Sequence, residues 1–387
     1  SGPYKIPNIY CKVVAPFTNT TPVDAYRGAG RPEATYAVER AVDLFAAEIG
    51  MDPAEVRKKN FIPPFDDGYE VATTVSYDSG NYIASFEKAL KMVGYDDFRK
   101  EQKQARDDGR LLGIGLSSYV EICGAAPSAV AGTLGARAGL WESANVRIHM
   151  TGKVSVFTGA SAHGQGHETA FAQIVSSELG IPVEDIDVIH GDTSQIQMGT
   201  GSFGSRSAAV GGSAIHLSTQ KIKDKARKLA AHILEASEED IVFEDGKLFV
   251  QGAPSEGKTI QEIALSSYYY TEDIPEDMEP GLEAMSFFDP KNFTWPGGTH
   301  IAVVEIDDLT GEVTLLRYIA VDDVGNVINP MIVDGMVHGG AAQGIGQALQ
   351  EEAIYDDSGQ LLTGSMLDYA VPRAWDMPMY ELDRTVT

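Results

Sequence analysis

Three glycine-rich segments of the chain carry residue types that could bind a ligand: residues 159–167, 199–207 and 339–346. Glycine lets bare backbone approach a ligand, and the free amides and dipole at the start of a helix favour an anion. Each segment leads into a predicted helix, so a phosphate or an oxo group is the ligand expected there. A tight turn that needs positive φ explains any single segment better. Because there are three such segments, two of them with glutamine beside glycine, a ligand site explains them as well as tight turns do.

These segments lack the common nucleotide and hydrolase signatures. Gly159 and Gly164 have the spacing of a phosphate-binding loop, but Gln165 and Gly166 stand where lysine and serine or threonine would contact phosphate and magnesium. The Gly-x-Ser-x-Gly elbow of the α/β-hydrolases is also missing from the sequence. Neither a magnesium-dependent phosphate loop nor a covalent hydrolase is therefore indicated.

Metal-ligating side chains are sparse. His163 and His167 are four residues apart, a spacing that can hold zinc on a helix, but no suitable third ligand lies nearby. Capping or hydrogen bonding fits this pair better than zinc does. Cys11 and Cys123 are the two cysteines, too few for an iron–sulfur cluster or a cysteine-rich zinc site. The sequence thus predicts no metal ion bound directly by side chains.

One arginine stands out from its neighbours. Arg27 lies among glycines in the stretch 25–34, directly before a predicted helix. In such a turn, its permanently charged and planar guanidinium can point at an anion or at a substrate carbonyl. A surface arginine that hydrogen-bonds turn carbonyls explains the pattern equally well.

Composition narrows the class of protein. The 387 residues include 30 Lys and Arg against 56 Asp and Glu, a formal net charge of −26, which opposes binding to nucleic acid or an anionic membrane. The length exceeds the usual domain size of about 100–200 residues, so two lobes are expected. No apolar run approaches the ~18–20 residues that span a bilayer, and no signal pattern opens the chain. We expect a cytoplasmic protein.

Apolar periodicity and turn residues indicate an α+β fold. Helices are predicted over 35–49, from an N-cap at Asp52, and over 83–93, 167–179 and 339–352. Hairpins are predicted over 146–157, 241–250 and 301–316. The order strand, turn, strand, helix occurs twice, which suggests an internal duplication. Because strands and helices do not alternate in a strict βαβ rhythm, α+β is favoured over a doubly wound sheet.

A stretch rich in Gly, Ala and Ser, residues 110–145, predicts the junction between two lobes. The predicted lobes are residues 1–140 and residues 141–387.

Four motifs occur in a fixed order: Ala25-Tyr-Arg-Gly-Ala-Gly-Arg-Pro-Glu33, Gly164-Gln-Gly-His-Glu-Thr169, Gly201-Ser-Phe-Gly-Ser-Arg-Ser207 and Ala342-Gln-Gly-Ile-Gly346. Each is weak alone, but their order and intervals resemble those of the molybdenum hydroxylases, the family of xanthine dehydrogenase, aldehyde oxidase and carbon monoxide dehydrogenase. The resemblance is to the large molybdopterin-binding subunit and covers nearly the whole chain. It implies the molybdopterin-binding domain of that family, with two lobes of mixed sheets and packed helices.

The resemblance also implies roles for individual residues. Gln165 and Gly166 would contact the oxo ligand of the metal and the pterin, residues 204–207 would hold the phosphate or cytidine diphosphate tail, and Gln343 would bond the pterin. Arg27 would lie beside the substrate and stabilise developing negative charge. The full set of implied cofactor-binding residues is Gln165, Gly166, His167, Phe203, Gly204, Ser205, Arg206, Ser207, Gln343 and Gly344.

The implied cofactor is molybdenum held by the dithiolene of molybdopterin or of molybdopterin cytosine dinucleotide. Such enzymes hydroxylate their substrate with oxygen from water, and the cofactor supplies the redox step. The resemblance implies that electrons leave through iron–sulfur clusters and FAD in partner chains or domains, and the two cysteines are consistent with this.

Two departures from the family pattern matter. The Gly-x-Gly-Glu turn that carries the family's glutamate base is missing, and so is its Gly-Gly-Phe-Gly loop. The chain is therefore expected to be an internal piece of a large subunit, or one chain of a divided subunit, completed by further polypeptide.

Substrate choice is constrained only by the loop around Arg27. Gly28 stands where carbon-monoxide-oxidising members carry cysteine, which favours an aldehyde, a purine or an N-heterocycle as substrate. Ala29 is small where some relatives place an aromatic residue, which suggests a roomier pocket. The alternatives are a non-catalytic, cofactor-free assembly or binding domain on the same scaffold, and an enzyme like carbon monoxide dehydrogenase.

Overall fold

The structure is a computed structural model that describes residues 2–73, 75–133, 135 and 137–387. The chain forms two compact units. The first unit consists of residues 1–121 and 295–387, and the second unit consists of residues 122–294. The second unit is thus an insertion between two stretches of chain that pack together.

The first unit begins with helices and ends with most of its sheet. Its elements before the insertion are α1 (Arg31–Glu48), α2 (Pro53–Asn60), β1 (Tyr69–Glu70), β2 (Ser76–Tyr77), α3 (Tyr82–Val93), α4 (Tyr95–Asp107) and β3 (Leu111–Val120).

The second unit contains α5 (Ser128–Thr133), β4 (Glu142–Ile148), β5 (Val154–Thr158), α6 (His167–Leu179), β6 (Ile186–His190), a π-helical turn (Ser207–Gly212), α7 (Ser213–Ile233), β7 (Ile241–Glu244), β8 (Lys247–Val250), β9 (Lys258–Thr259), α8 (Ile260–Tyr269) and β10 (Leu282–Phe288). The first unit then resumes with β11 (Gly297–Ile306), β12 (Val313–Asp323), α9 (Pro330–Leu349) and β13 (Tyr380–Thr385).

The two main sheets share an arrangement of three strands and one helix, β4-β5-α6-β6 and β11-β12-α9-β13, but the fourth strand differs in chain order, since β10 follows this arrangement and β3 precedes it. The sheet of the second unit has the order β10-β4-β5-β6, and that of the first unit has the order β3-β11-β12-β13. In each sheet, the first three strands are antiparallel neighbours and the last pair is parallel. A helix connects each parallel pair, α6 between β5 and β6 and α9 between β12 and β13. This repeated arrangement agrees with the internal duplication suggested by the sequence.

The core of the second unit lies between its sheet and two helices. Alternate residues of β4 and β5 are fully buried because successive strand side chains point to opposite faces; they are Val146, Ile148, Val154 and Val156. Helix α7 covers this face with residues spaced seven apart, Ile215, Ile222 and Leu229, which are also fully buried. Helix α6 packs beside α7 through Phe171, Val175 and Leu179. This packing fixes the positions of α6 and α7, and therefore the points at which the preceding loops enter these helices.

Most local predictions are confirmed. The predicted helices correspond to α1, α2, α3 and α6, and the predicted hairpins to β4–β5, β7–β8 and β11–β12. The carboxylate of Asp52 accepts a hydrogen bond from Ala54 N at 2.8 Å, as expected of an N-cap. The helix predicted over 339–352 is α9, but it begins earlier, because Asn329 caps it and Pro330 occupies its first turn. The expectation that the third glycine-rich segment, 339–346, forms a loop before a helix is therefore wrong, because this segment lies inside α9. The α+β class is confirmed.

The compact units divide the chain differently from the predicted lobes, 1–140 and 141–387. Strand β11 pairs with β3 over its whole length, and this pairing attaches residues 295–387 to the first unit. Local periodicity gives no signal for such a long-range pairing. The predicted lobes, 1–140 and 141–387, are meant as domains of the family's large subunit, and in that sense they stay a prediction. Leu134 and Ala136, within the predicted junction, lie outside the described residues.

No helix within the described ranges combines the length and the apolar character needed to cross a membrane.

Candidate functional site

The loop 159–166 connects β5 to α6 in the second unit. Gly164 and Gly166 have φ values of 100° and 71°, in the left-handed region that favours glycine. Gly166 is the N-cap of α6 and provides no capping side chain, so the first amides of the helix have no side-chain acceptor there. The Gln165 side chain folds back on the loop, where its Oε1 accepts a hydrogen bond from His163 N. Gln165 would have to turn outward to contact a ligand.

His167 opens α6 and lies in the protein interior. Its side chain is stacked on Phe171, with ring centroids 5.2 Å apart, and its Nδ1 is buried without a hydrogen-bond partner. Burial lowers the pKa of His167, so the neutral imidazole is favoured. The neighbouring Glu168 pairs with His190, at 2.7 Å between Oε1 and Nε2.

The loop 199–206 precedes the π-helical turn that continues into α7. Gly204 and Ser205 have φ values of 54° and 51°, so two successive residues are left-handed. The carbonyls of these two residues accept hydrogen bonds from Ala125 N and Gly124 N, at 3.2 and 3.1 Å, which anchors the loop from one side. A left-handed turn anchored through its carbonyls is well suited to direct amides at an anion. Phe203, by contrast, is exposed.

A buried ion pair joins the loop 199–206 to the sheet of the second unit. Glu142, the first residue of β4, contacts Arg206 at 3.1 Å, and both side chains are only 1% exposed. Arg206 also donates to Thr200 Oγ1, to the carbonyl of Gly201 at 3.0 Å and to the carbonyl of Leu140. The Arg206 side chain therefore ties its own loop to the sheet. The Nε atom of Arg206 is also buried and has no hydrogen-bond partner, so the guanidinium points into the interior.

Burial dominates the electrostatics of this pair. It raises the pKa of Glu142 and lowers the pKa of Arg206, and in each case the partner's charge opposes the shift. Backbone hydrogen bonds from Ser143 and Thr200 add to the stabilisation of the Glu142 carboxylate. Since desolvation of both charges is costly, the value of the pair lies in the geometry that it fixes.

Two glycines bring the loops into direct contact at Glu142. A Cβ placed on Gly199 would lie 2.5 Å from the Cα of Gly159 and 2.5 Å from Glu142 Oε1. A Cβ placed on Gly159 would clash with the Cα of Gly199 and with Glu142 Oε1. Only glycine fits at either position. The segments that open with these glycines, predicted from the sequence as separate ligand loops, therefore start side by side.

In the first unit, Arg27 and Gln343 are brought together although they are 316 residues apart in sequence. The Arg27 guanidinium donates from Nη1 to Gln343 Oε1 at 3.3 Å. It lies over Gly339 and Gly340 of α9, where a Cβ would approach its Nη atoms to 3.6 and 3.8 Å. Gly344 has open space around it. Both Arg27 and Gly344 are exposed, and Gln343 is half-buried.

The structure thus groups the predicted residues into two sets. Residues 165–167 and 203–207 belong to the second unit, and Arg27, Gln343 and Gly344 belong to the first. The sequence reasoning missed Glu142, whose only signal is an acidic residue at the start of a strand that alternates polar and apolar residues. Among the residues that the structure describes, no three His, Cys, Asp or Glu side chains are placed to hold a metal ion.

The fold and these loops define an α+β protein with paired glycine-rich loops, and comparison with known proteins identifies its family. A family described as a molybdopterin cofactor-binding domain matches residues 88–378, and a second family with the same description matches residues 1–61. The chain belongs to the molybdopterin cofactor-binding domain family.

Two curated relatives match nearly all of the chain. The carbon monoxide dehydrogenase large chain of Hydrogenophaga pseudoflava is 43% identical over 100% of this chain and 48% of its own length. Subunit gamma of the 6-hydroxypseudooxynicotine dehydrogenase complex of Paenarthrobacter nicotinovorans is 37% identical over 97% of this chain and 46% of its own length. The chain spans about half the length of the curated relatives that it matches.

Two solved structures share the fold. Quinoline 2-oxidoreductase from Pseudomonas putida 86 superposes with a TM-score of 0.89 at 37% identity, covering 95% of this chain and 46% of the other. A Cu,Mo-CO dehydrogenase in its carbon monoxide reduced state superposes with a TM-score of 0.88 at 41% identity, covering 93% of this chain and 45% of the other.

The loops of the second unit fit the cofactor that this family binds. Left-handed residues at 164, 166, 204 and 205 bend two backbone segments at helix starts that lack side-chain caps. Such segments present amides to the phosphate or carbonyl groups of a pterin. The buried Nδ1 of His167, which has no partner, offers one further polar atom beside the first loop.

Proposed function

We propose that the chain is the molybdopterin-binding half of the large subunit of a molybdenum hydroxylase. The enzyme would be an oxidoreductase that hydroxylates an aldehyde, a purine or an N-heterocycle with oxygen from water. The observation that carries the proposal is the pair of family-matching glycine loops, 159–167 and 199–207, that start side by side at the buried Glu142–Arg206 pair. A purely structural domain requires neither the left-handed turns nor the uncapped helix start.

The residues of the chain would bind and orient the cofactor. Backbone amides of residues 204–207 would hold its phosphate or the diphosphate of a cytosine dinucleotide, because they follow a left-handed turn at a helix start. The Gln165 amide, turned outward, would hydrogen-bond near the metal, and Gln343 would bond the pterin. When bound, the molybdenum–pterin group supplies the two-electron oxidation.

Arg27 would act on the substrate. Its guanidinium is exposed and has one long hydrogen bond to Gln343, so it can turn toward a bound molecule at little cost. A fixed positive charge beside a carbon under attack stabilises the negative charge that develops there. The glycines beneath it, Gly339 and Gly340, leave the space that this movement needs.

The substrate class follows from the loop that carries Arg27. Residues 28–30 are Gly, Ala and Gly, so this loop offers no thiolate to a soft metal such as copper. The solved carbon monoxide dehydrogenase contains copper as well as molybdenum. Proteins similar to this chain also act on nitrogen heterocycles by their names, quinoline 2-oxidoreductase and nicotine 6-hydroxylase. We therefore favour an N-heterocycle, with an aldehyde or a purine next.

Oxidation of carbon monoxide is the second candidate, because a carbon monoxide dehydrogenase large chain is 43% identical over the whole chain. An assay of the full-length complex with an artificial electron acceptor separates the candidates. Turnover of an N-heterocycle or an aldehyde without carbon monoxide oxidation is expected. Carbon monoxide oxidation alone would contradict our choice of substrate.

Iron–sulfur and flavin subunits are the proposed partners. The chain has two cysteines, so clusters and FAD would reside in other polypeptides. Relatives are named as the large chain or as one subunit of a complex, which is consistent with such partners.

Cofactor content of the full-length complex tests the proposal. We expect about one molybdenum and one pterin per large subunit, by elemental analysis and by the fluorescence of the oxidised pterin. Gln165→Ala should lower this content without unfolding the protein, whereas Gln251→Ala, at an exposed position of the second unit, should not. Wild-type protein that lacks both, made with cofactor supply intact, would support the non-catalytic binding domain instead. Unchanged content and turnover in Gln165→Ala would refute the role of Gln165.

A further inference from the structure

The N-terminal arm of the first unit, residues 7–25, is apolar and yet exposed. Tyr10, Val13 and Val14 are 89%, 83% and 72% exposed, and Phe17 and Val23 are fully exposed. Residues 7–23 carry a single charged side chain, Lys12. A solvated linker is typically polar and charged, so this composition does not fit one. Exposed apolar surface of this extent marks a contact with other polypeptide.

The arm also leaves its backbone unpaired. In the described part of the chain, the amides of residues 7–20 make no backbone hydrogen bond, and the arm contains no helix or strand. Residues 9–14, Ile-Tyr-Cys-Lys-Val-Val, are mostly β-branched or aromatic, which is the composition of a strand in a sheet. Free amides on a segment of strand-forming residues are a template for pairing with another strand.

A second apolar surface lies next to the arm in the first unit. Helix α9 has one charged residue, Asp334, and one histidine, His338, among 20 residues, and only Ala341 and Gly346 are buried. A helix of this composition is normally buried on most of its surface. The following segment leaves Leu367 and Trp375 92% and 76% exposed, and its Tyr355 hydroxyl binds Thr21 of the arm at 2.7 Å. The arm and the segment that follows α9 therefore touch at this contact.

We infer that the arm pairs as a β-strand, over Ile9–Val14, with the remaining polypeptide of the same large subunit, which also covers α9. The inference rests on the proposed identity of the chain as half of that subunit. About half the length of the curated relatives lies outside this chain, enough polypeptide to cover both surfaces. The family match over residues 1–61 contains the arm. This contact would bring the remaining polypeptide close to Arg27, because Arg27 follows the arm directly.

Hydrogen exchange of the full-length large subunit within its complex tests whether the arm is paired. Peptides that cover residues 8–18 should exchange at least ~10²-fold more slowly than the turn 307–312, and at a rate comparable to β11. Exchange of the arm as fast as that of the turn would overturn the inference.

Cys11, which lies within the proposed strand and is exposed in this chain, reports on the occupant. In the isolated full-length large subunit, at both low and high concentration, a maleimide should modify Cys11 at least ~10²-fold more slowly than it modifies the denatured protein. Protection that requires the iron–sulfur or flavin subunits would assign the arm to a partner subunit and overturn the inference. Protection lost on dilution would assign it to a second copy of the chain, with the same consequence.

A charge substitution provides a second measurement with a matched control. Val13→Asp in the full-length subunit should restore fast exchange of the arm, because a buried carboxylate without a partner is strongly disfavoured. Leu309→Asp changes an equally exposed apolar residue, in the β11–β12 turn, and should leave exchange of the arm unchanged. Equal effects of the two substitutions would contradict the inference. If the arm is protected in wild-type protein that contains no molybdenum, the proposed function would be refuted, but the pairing of the arm would not.

Discussion

The two units share an arrangement of three strands and a connecting helix but hold their candidate residues in different ways. In the second unit, the glycine loops start side by side and are joined to the sheet by Glu142 and Arg206, both almost fully buried. In the first unit, Arg27 is exposed and donates one hydrogen bond of 3.3 Å to Gln343. The second unit therefore presents preformed loops, whereas the first presents a charged side chain that is free to reorient.

This difference matches two tasks. A large cofactor binds with less ordering cost when the loops that hold it are already fixed. A residue that must meet a substrate needs freedom to adjust, and further polypeptide can restrict it later. The comparison teaches that a repeated framework can hold loops rigidly in one copy and leave a charged side chain mobile in the other; the tasks assigned to them stay predictions.

The largest expected effect is the loss of the ion pair that fixes the second unit. Arg206→Met leaves Glu142 buried without its partner and should lower the free energy of unfolding by about 3–5 kcal/mol. The measurement is denaturant unfolding of the full-length subunit. Arg147→Met, which breaks the half-exposed pair with Glu283, is the matched control and should cost less than about 1 kcal/mol.

A double substitution sharpens this test. Arg206→Met combined with Glu142→Gln should recover part of the lost stability, because no unpaired charge is then buried. A fully additive double variant would mean that the two side chains do not act as a pair.

A large effect on activity but not on stability is expected at Arg27. Arg27→Met in the full-length enzyme should lower kcat/KM by about 10²-fold, the scale of losing one group that stabilises charge in the transition state. Its thermal midpoint should stay within error of wild type, because the side chain is exposed and weakly held. An effect on kcat/KM below threefold would assign Arg27 to a structural role.

A smaller effect is expected where the loops touch. Gly159→Ala places a methyl group against Glu142 and Gly199 and should cost about 1–3 kcal/mol, since the surrounding backbone cannot move freely. Gly132→Ala, in α5, meets nothing within 4 Å and should cost no stability. Thermal midpoints and molybdenum content should fall together in Gly159→Ala only. Wild-type values for that variant would show that the loops are not fixed by this contact.

The smallest effect is a pH dependence at His167. Burial lowers the pKa of His167, so below its ordinary value of about 6.5 the unfolded chain takes up a proton that the folded chain refuses. Stability is therefore lost as the pH falls from about 7 toward 5. His167→Phe should reduce this loss, measured as the difference between thermal midpoints at pH 7.5 and 5.5. His232→Phe, at an exposed position, should leave the difference as in wild type.

The predictability of the site differs between its residues. The motifs identified Arg206 as a residue of the ligand loop, but not that its side chain turns inward to Glu142, 64 residues earlier. Gln165 and Gly166 were assigned from their position before α6, and that local geometry agrees with an uncapped helix start. Their contacts with the cofactor stay a prediction. The adjacency of Gly159 and Gly199 had no sequence signal, because it arises where two loops from distant parts of the chain meet at Glu142.

The sequence by itself determined the elements and the family. Caps such as Asp52, the hairpin turns and the helix that begins at His167 depend on residues within one turn or one hairpin, so local physics suffices to predict them. The tertiary structure decided the pairing of β11 with β3, the Glu142–Arg206 contact and the approach of Arg27 to Gln343. These contacts join residues far apart in the chain, and they form because burial of the sheets and helices as a whole outweighs the entropy of closing long loops.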